Sequence, residues 1–438
     1  MITDILFGIL GLSVLIGIAF LFSNNKKEVK WKQVGYGILL QLLFAVFVLL
    51  TPWGAKVFDG IGSVFVKIIE FTNDGSKFVF GILADQTGFG EAFPADMQSS
   101  GVGFLFAFQV LPTIIFFSSL MTVLYHLGIM QKIVQGMAWV MAKVLTISGA
   151  ESISVAANVF IGQTEAPLVV RPYVESMTKS ELLTLMIGGM ATIAGGVLAA
   201  YVGLLGGGDP AQQLYYAKHL LSASIMAAPA TIVIAKILIP ETAESKTMGT
   251  VKVPVEKTAS NVIEAAASGA ADGLKLALNV AGMLLAFIAL IAMINWLIQL
   301  VVTDLVGITT ASGEPITLQL ILGYALSPIA WIIGVPWQDS VSVGSMIGQK
   351  IVLNEFIAYL ELSNIIPLHV LSEKAVIIST YALCGFANFS SIAIQIGGIG
   401  GIAPSRRSDL AKFGLRAVLG GSLATFMTAT IAGVLISL

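Results

Sequence analysis

Eight long apolar runs dominate this sequence and constrain its fold more than any other feature. An apolar run of about 20 residues matches the hydrocarbon thickness of a bilayer. A soluble fold cannot cover this much apolar surface, since 56% of the 438 residues are hydrophobic, 11% are charged and the mean hydropathy is +0.92. The runs fall near 3–23, 34–52, 102–128, 181–206, 218–240, 277–302, 372–400 and 413–437. The sequence therefore predicts an all-α polytopic membrane protein.

Charge and cysteine content exclude several other classes of protein. The net charge is −2, so no basic surface indicates binding to nucleic acid. The single cysteine, Cys384, rules out a disulfide framework, and the three histidines lie far apart in sequence. The first apolar run follows Asp4 and precedes the lysines, which is the reverse of a secretory signal. We expect that run to be a retained helix that starts outside the cell.

The distribution of Lys and Arg predicts which loops are cytoplasmic, because cytoplasmic loops carry the excess of basic residues. The basic loops 24–32, 241–260 and 402–411 are predicted to lie inside, and loops 207–217 and 303–317, which have no Lys or Arg, outside. Segment 54–100 has three lysines but more acidic residues. With the N-terminus outside, we predict a multi-pass protein of a bacterial cytoplasmic membrane.

This alternation of loops holds only if two semi-apolar segments, 131–172 and 318–368, do not cross the bilayer. Each contains internal polar residues and proline, so each is predicted to be a re-entrant hairpin. A helix interrupted at 191–196 follows the first, and a helix interrupted at 385–391 follows the second. Paired interrupted segments in matching positions indicate an inverted-repeat transporter with a site at the membrane midplane.

The chain divides into four predicted parts. A polar linker at 241–260 precedes Asn261, which we expect to cap a short interfacial helix over about 262–274 with Glu264 three residues on. The parts are 1–128 (N-terminal scaffold helices and an interfacial segment), 129–240 (first hairpin and broken helix), 241–303 (linker, interfacial helix and scaffold helix) and 304–438 (second hairpin, broken helix and last helix).

Three polar clusters lie between apolar stretches. The first is at 158–167 and includes a carboxylate, the second is at 354–356, and the third is at 386–391. A carboxylate costs about 2.5–3.5 kcal/mol at membrane depth on insertion scales, which favours a functional role. The alternative for the first two clusters is a solvated surface turn, and a serine in the third could simply bond to its own helix.

The side chains in these clusters predict the chemistry of the ligand. They supply carboxylates, amides and hydroxyls together with phenylalanine rings, but no Arg or Lys. Carboxylates accept hydrogen bonds from hydroxyls, amides pair with heteroatom edges, and rings pack on flat faces. The set suits a neutral, polyhydroxylated, partly aromatic solute and does not suit an anion.

Several motifs resemble those of the concentrative nucleoside transporters, over most of the chain from about residue 74. They are GQTEAPL at 162–168, VRPY at 170–173, NEF at 354–356, GFANFSS at 385–391, NVIEAA at 261–266, FVFG at 78–81, and the segment from ILGY at 321–324 to GVP at 334–336. The resemblance implies eight transmembrane helices and two re-entrant hairpins in a homotrimer, with one half of each subunit moving as an elevator. It implies a cation-coupled nucleoside importer without organic cofactor and not an enzyme.

The same resemblance implies the residues of the site. Eight contact the substrate: Gln163, Thr164, Glu165 and Val197 around the nucleobase, and Glu355, Asn388 and Ser391 at the ribose hydroxyls with Phe386 lining the pocket. Sodium would bind Asn158, the Ile161 carbonyl, the Thr192 hydroxyl and the Ile193 carbonyl. These are hard oxygen ligands, which suit a small cation. The asparagine favours sodium, with the proton as the alternative coupling ion.

Three rival functions remain open at this stage. A carrier for a sugar or a free nucleobase would use similar groups. An intramembrane enzyme could use the two glutamates as acid and base, although the sequence has no metal-ligand spacing and Cys384 has no nearby histidine. A passive channel would move the solute without concentrating it.

Overall fold

The computed structural model describes residues 2–85, 88, 105–249, 259–310, 313 and 315–437. The described residues form α-helices, short 3-10 turns and one π-helical stretch, joined by loops. Ser148 and Met248 form an isolated antiparallel bridge within this part of the chain. The predicted helical fold class is confirmed.

The first nine helices contain the first hairpin and the first broken helix. They are α1 (Ile2–Leu21), α2 (Trp31–Leu50), α3 (Pro52–Phe80), α4 (Phe106–His126), α5 (Ile129–Leu145), α6 (Gly149–Asn158), α7 (Lys179–Ala191), α8 (Gly195–Gly206) and α9 (Pro210–Leu238). Helical turns at Ala166–Val169 and Arg171–Val174 complete the hairpin that begins with α6.

The remaining helices contain the second hairpin and the second broken helix. They are α10 (Val262–Ile298), α11 (Leu318–Ile332), α12 (Ser340–Val352), α13 (Glu355–Ile365), α14 (Glu373–Ala382), α15 (Phe389–Ile402) and α16 (Arg407–Ile436). The π-helical stretch Gln299–Leu305 continues α10. In both halves the order is hairpin, broken helix, long helix, as the sequence predicts.

Polar side chains fix where the helices of the first repeat begin. Ser148 and Glu151 form a capping box at α6, and Thr178 and Glu181 form another at α7. Each box satisfies backbone N–H groups that a helix start leaves without partners. At α9, the side chain of Asp209 accepts from Ala211 N just before the chain turns into the helix. The short helices of the repeat therefore have defined ends beside the breaks.

The broken helices and the long helices form the centre of the molecule. In the most apolar stretch of α9, 94% of the residues are buried, against 89% for α7 with α8 and 22% for α10. Helices α7, α9 and α14 all pack against α16, and α1 and α2 pack on the outside of α16 and α9. The central helices are therefore shielded by protein, while most of the surface of α10 is exposed.

Helices α4 and α10 pack closely along each other. A methyl group at Gly269 would lie 2.8 Å from Ser118 O, and one at Gly273 would lie 2.8 Å from Ile115 Cα. Small residues at such a contact let two membrane helices approach to backbone distance. The α4–α10 pair forms a second packing unit beside the central helices.

The structure corrects one predicted element and refines two others. The short interfacial helix expected over 262–274 is not separate: it is the start of α10, which runs unbroken to Ile298. Asn261 does cap it, accepting from Glu264 N at 2.9 Å. Each predicted hairpin segment also contains a preceding helix, α5 or α11, so the hairpins themselves are shorter. The predicted loop at 241–260 lies partly outside the described residues.

Candidate functional site

The two helix breaks meet at the centre of the molecule. The N–H of Phe386 in the second break faces the carbonyl of Thr192 in the first, with N and O 3.4 Å apart. A methyl group at Gly385 would lie 2.7 Å from Met190 O and 2.9 Å from Thr425 Cγ2. Glycine is therefore required at 385 for the breaks to approach so closely. Polar groups from both repeats are brought into one region.

Glu355 is the buried carboxylate of this region. It is the first residue of α13 and is 5% exposed. The hydroxyl of Tyr201 donates to Oε1 at 2.9 Å, and the amide of Asn388 donates to Oε2 at 3.0 Å. Charge-assisted bonds of this kind offset part of the cost of burying a carboxylate. They also hold Glu355 in one orientation between the two halves.

Asn388 holds Glu355 and begins α15 at the same time. Its Oδ1 accepts from Ser391 N at 2.9 Å and from Ser390 Oγ at 2.7 Å. Asn388 is therefore the cap of α15, and Ser391 lies in the first turn of that helix. Because one amide performs both tasks, the start of α15 and the position of Glu355 are coupled.

The tip of the first hairpin reaches the second broken helix through Gln163. Its Nε2 donates to Ser391 Oγ at 3.0 Å, and its Oε1 accepts from Gln395 Nε2 at 3.1 Å. Gln395 also donates to Met186 O at 3.0 Å, so it bridges the hairpin to α7. Gln163 is buried. A solute that enters between the hairpin tip and α15 can replace these contacts with its own polar groups.

The remaining predicted substrate residues differ in how far they are exposed to solvent. Glu165 is exposed, and its Oε1 accepts from Thr164 Oγ1 at 2.8 Å. Val197 is buried at the start of α8, and Phe386 is half-buried in the second break. The two glutamates therefore differ: Glu165 is free to rearrange at an open edge, whereas Glu355 is fixed inside.

Four predicted ion ligands lie beside the first break. Asn158 ends α6, and its Oδ1 is buried without a hydrogen-bond partner. Thr192 follows α7, and its hydroxyl donates to Gly188 O at 2.9 Å, which leaves its lone pairs free. Within the part of the chain that the structure describes, no loop or cap hydrogen bond ends on the carbonyl of Ile161 or Ile193. Oxygen atoms without donors suit a small cation.

Three residues of the site were missed by sequence reasoning. Tyr201 lies in an apolar stretch of α8, where an aromatic residue is ordinarily packing. Gln395 is an isolated amide in the apolar helix α15, and a buried amide that needs several partners was a usable signal. Thr231 is a third such residue, because its buried hydroxyl has no partner and its methyl group lies beside Gly188, as does the amide nitrogen of Asn158.

The fold and this site define a membrane transporter with two structural repeats around a polar central site. Three family models match the chain: Na+ dependent nucleoside transporter N-terminus over residues 10–83, nucleoside recognition gate over 107–208, and Na+ dependent nucleoside transporter C-terminus over 219–433. The chain belongs to the Na+-dependent, or concentrative, nucleoside transporter family. The resemblance found in the motifs is thereby confirmed, and the family consists of transport proteins rather than enzymes.

Individual relatives agree over almost the whole chain. An uncharacterized transporter of Haemophilus influenzae is 46% identical over 99% of both chains. The nucleoside permease NupC of Helicobacter pylori is 40% identical over 100% of this chain and 99% of its own. CNTnw in an inward-facing, substrate-bound state superposes with a TM-score of 0.89 at 43% identity, covering 99% of this chain and 98% of that one. A doubly substituted CNTnw in an outward-facing state superposes with a TM-score of 0.90 at 42% identity, covering 99% of each chain.

Proposed function

We propose that this protein is a sodium-coupled symporter that imports nucleosides across the bacterial cytoplasmic membrane by alternating access. The observation that carries the proposal is the convergence of Gln163, Ser391, Asn388 and Glu355 from both repeats on one central region. The family model is that of Na+-dependent nucleoside transporters, and NupC of Helicobacter pylori is a nucleoside permease. CNTnw adopts both inward-facing and outward-facing states on this fold.

The eight predicted substrate residues divide between the two ends of a nucleoside. Glu355 and Asn388 offer a fixed carboxylate and an amide, which suit the vicinal hydroxyls of ribose. Gln163, with Thr164 and Glu165 at the open edge of the hairpin, offers amide and carboxylate groups to the edge of the base. Val197 and Phe386 supply apolar surface, and Ser391 lies between the two ends.

Two alternatives are tested by one competition experiment. A sugar carrier would bind ribose through the Glu355 side alone, and a nucleobase carrier would bind uracil through the Gln163 side alone. We expect uridine to compete with labelled uridine for uptake far better than ribose or uracil, because only a nucleoside reaches both ends. Equal competition by ribose or by uracil would assign the protein to the corresponding carrier.

Sodium is the proposed coupling ion, held by Asn158, Ile161, Thr192 and Ile193. We expect Asn158→Ala to raise the sodium concentration for half-maximal uridine uptake by about 10-fold, since it removes an oxygen that binds the charge. The measurement is uridine uptake across a series of sodium concentrations. Uptake by the variant should return to nearly the wild-type rate at saturating sodium. A lower rate at every sodium concentration would indicate a structural role instead.

The proposed orientation places the N-terminus and loop 207–217 outside and residues 241–249 inside. A cysteine at Glu244, which is exposed, should react with an impermeant reagent only from the cytoplasmic side. The neighbouring Ser245 is unsuitable, because its buried hydroxyl donates to Glu181. Gln212→Cys, at an exposed position, is the matched outside control, and the native Cys384 is buried. Labelling of Glu244→Cys in intact cells would contradict this layout.

The assembly state and the moving parts complete the proposal. We propose a homotrimer in which the α4–α10 pair remains fixed and the hairpins with the broken helices move. The support is the long exposed face of α10, which carries large apolar side chains such as Leu278, Leu285 and Trp296. The four-part division of the chain given above stays a prediction.

A further inference from the structure

Lys350 is a fully buried lysine that the proposed transport cycle does not use. It lies in α12, the first helix of the second hairpin, and is 0% exposed. Its Nζ donates to Ala382 O at 2.8 Å and to Thr425 Oγ1 at 3.1 Å, and lies 5.9 Å from the centre of the Phe426 ring. Both acceptors are uncharged. A buried ammonium without an adjacent carboxylate is costly, so a specific reason is needed for its presence.

The acceptors of Lys350 are characteristic of a cation site. Ala382 is the last residue of α14, so its carbonyl lies at the negative end of a helix dipole beside the second break. Thr425 adds a hydroxyl oxygen from the long helix α16, and the Phe426 ring offers its negative face. The ammonium thus occupies a small cage of neutral oxygen atoms and aromatic surface.

The first repeat has oxygen atoms without hydrogen-bond donors on the same three kinds of element: the first helix of the hairpin, the end of the first half of the broken helix, and the long helix that follows. Asn158 belongs to the first helix of the first hairpin, Thr192 follows the first half of a broken helix, and Thr231 lies in the C-terminal half of the following long helix. Oδ1 of Asn158 and Oγ1 of Thr231 are buried without partners. The two side chains are neighbours, since Asn158 Nδ2 and Thr231 Cγ2 lie 3.2 and 3.7 Å from the point where a methyl group on Gly188 would stand. In the second repeat, Lys350, Ala382 and Thr425 come from the three corresponding elements.

We propose that the Lys350 ammonium is a tethered cation that fills, in the second repeat, the place where the first repeat holds a free sodium ion. This inference rests on the sodium site proposed above and extends it to the other half of the molecule. One repeat therefore exchanges its cation in each cycle, and the other keeps it.

The experiment asks whether free sodium can replace the tethered ammonium. The first sodium site is removed with Asn158→Ala, and Lys350→Ser is added to open the second. Each purified protein is heated in sodium chloride and in choline chloride at equal ionic strength. We expect Asn158→Ala to lose sodium-specific stabilisation and the double variant to regain it, with a rise in Tm of about 2–4 °C.

Thr425→Val is the matched control, since it removes one oxygen of the second cage and retains its shape. Added to the double variant, it should abolish the regained response to sodium. Equal Tm values for the double variant in the two salts would overturn the proposal. Lys350→Gln is the second variant, because its amide offers an oxygen as Asn158 does. Failure of both Lys350 variants to fold in sodium would also reject the idea that a free ion can take this place.

The single variant Lys350→Ser shows whether the sodium assignment at Asn158 or the proposed role of Lys350 is wrong. If the wild-type Tm is indifferent to sodium but that of Lys350→Ser rises with it, the assignment at Asn158 is wrong, and only the replacement of Lys350 by a free cation stands. If the wild type responds to sodium and neither Lys350 variant restores a response in the Asn158→Ala background, the sodium assignment stands and the role of Lys350 is wrong.

Discussion

Glu355→Gln is expected to weaken uridine binding by about 10- to 100-fold, because a charge-assisted hydrogen bond contributes about 1.5–3 kcal/mol. The carboxylate is buried and already oriented by Tyr201 and Asn388, so it can accept from ribose hydroxyls without rearrangement. An analogue that lacks the two vicinal ribose hydroxyls, 2′ and 3′, makes no such bond in either protein. We therefore expect its affinity to change little, and titration of both ligands into the purified variant measures the difference.

Two further variants separate binding from folding in this experiment. Tyr201→Phe removes one hydrogen-bond donor to Glu355 and keeps the ring, which stacks on the ring of Tyr359 with the ring centres 4.3 Å apart. We expect Tyr201→Phe to weaken uridine binding selectively, as Glu355→Gln does, but by a smaller factor. Glu165→Gln, at the other end of the site, should instead change the ranking of different bases. A uniform loss across the ribose analogues in Glu355→Gln would reject the ribose assignment.

Lys236→Met should lower the free energy of unfolding by about 3–5 kcal/mol, since it leaves a buried carboxylate without its cation. Lys236 is 3% exposed near the end of α9 and forms an ion pair with Glu151 of α6. It also donates to Ser180 Oγ at 2.9 Å and lies 3.5 Å from Glu241. The cluster ties α6, α7 and α9 together. Denaturant unfolding of the purified protein measures the loss.

The control for Lys236 is a variant that removes both charges of the pair. Glu151→Gln combined with Lys236→Met should recover a substantial part of the lost stability, because the uncompensated carboxylate is gone. Lys132→Met, at an exposed lysine of α5, should have little effect. If the double variant is as unstable as the sum of the two single variants, the two charges act independently and this account of the cluster is wrong.

Much of the fold was predictable because the bilayer imposes a strong pattern on sequence. The apolar runs, the basic loops and the two interrupted helices at 191–196 and 385–391 are local features, and they correctly gave the order of elements in each repeat. Local features also marked Glu355 and Asn388, since a charge or an amide within an apolar stretch needs partners.

The rest of the site depends on contacts between distant segments. Tyr201 contacts Glu355, 154 positions away in sequence, and Gln395 contacts Gln163, 232 positions away. Nothing within the apolar helix α8 distinguishes Tyr201 from ordinary packing. The isolated amide of Gln395 in α15 signals that partners are needed, but it does not indicate that the first hairpin supplies them. The prediction of a separate short helix over 262–274 was wrong for a similar reason, because it too depended on a contact between distant segments. Alanines and glycines there allow α10 to pack on α4, and that contact supports one continuous helix.

Uptake of labelled uridine into proteoliposomes under an imposed ion gradient tests the central claim most directly. An inward sodium gradient should drive uridine to an internal concentration above the external one, and collapse of that gradient should release it. A proton gradient alone, without sodium, should not support accumulation. Uptake that only equilibrates under either gradient would contradict the claim of a symporter, and accumulation that follows the proton gradient and ignores sodium would contradict the coupling ion.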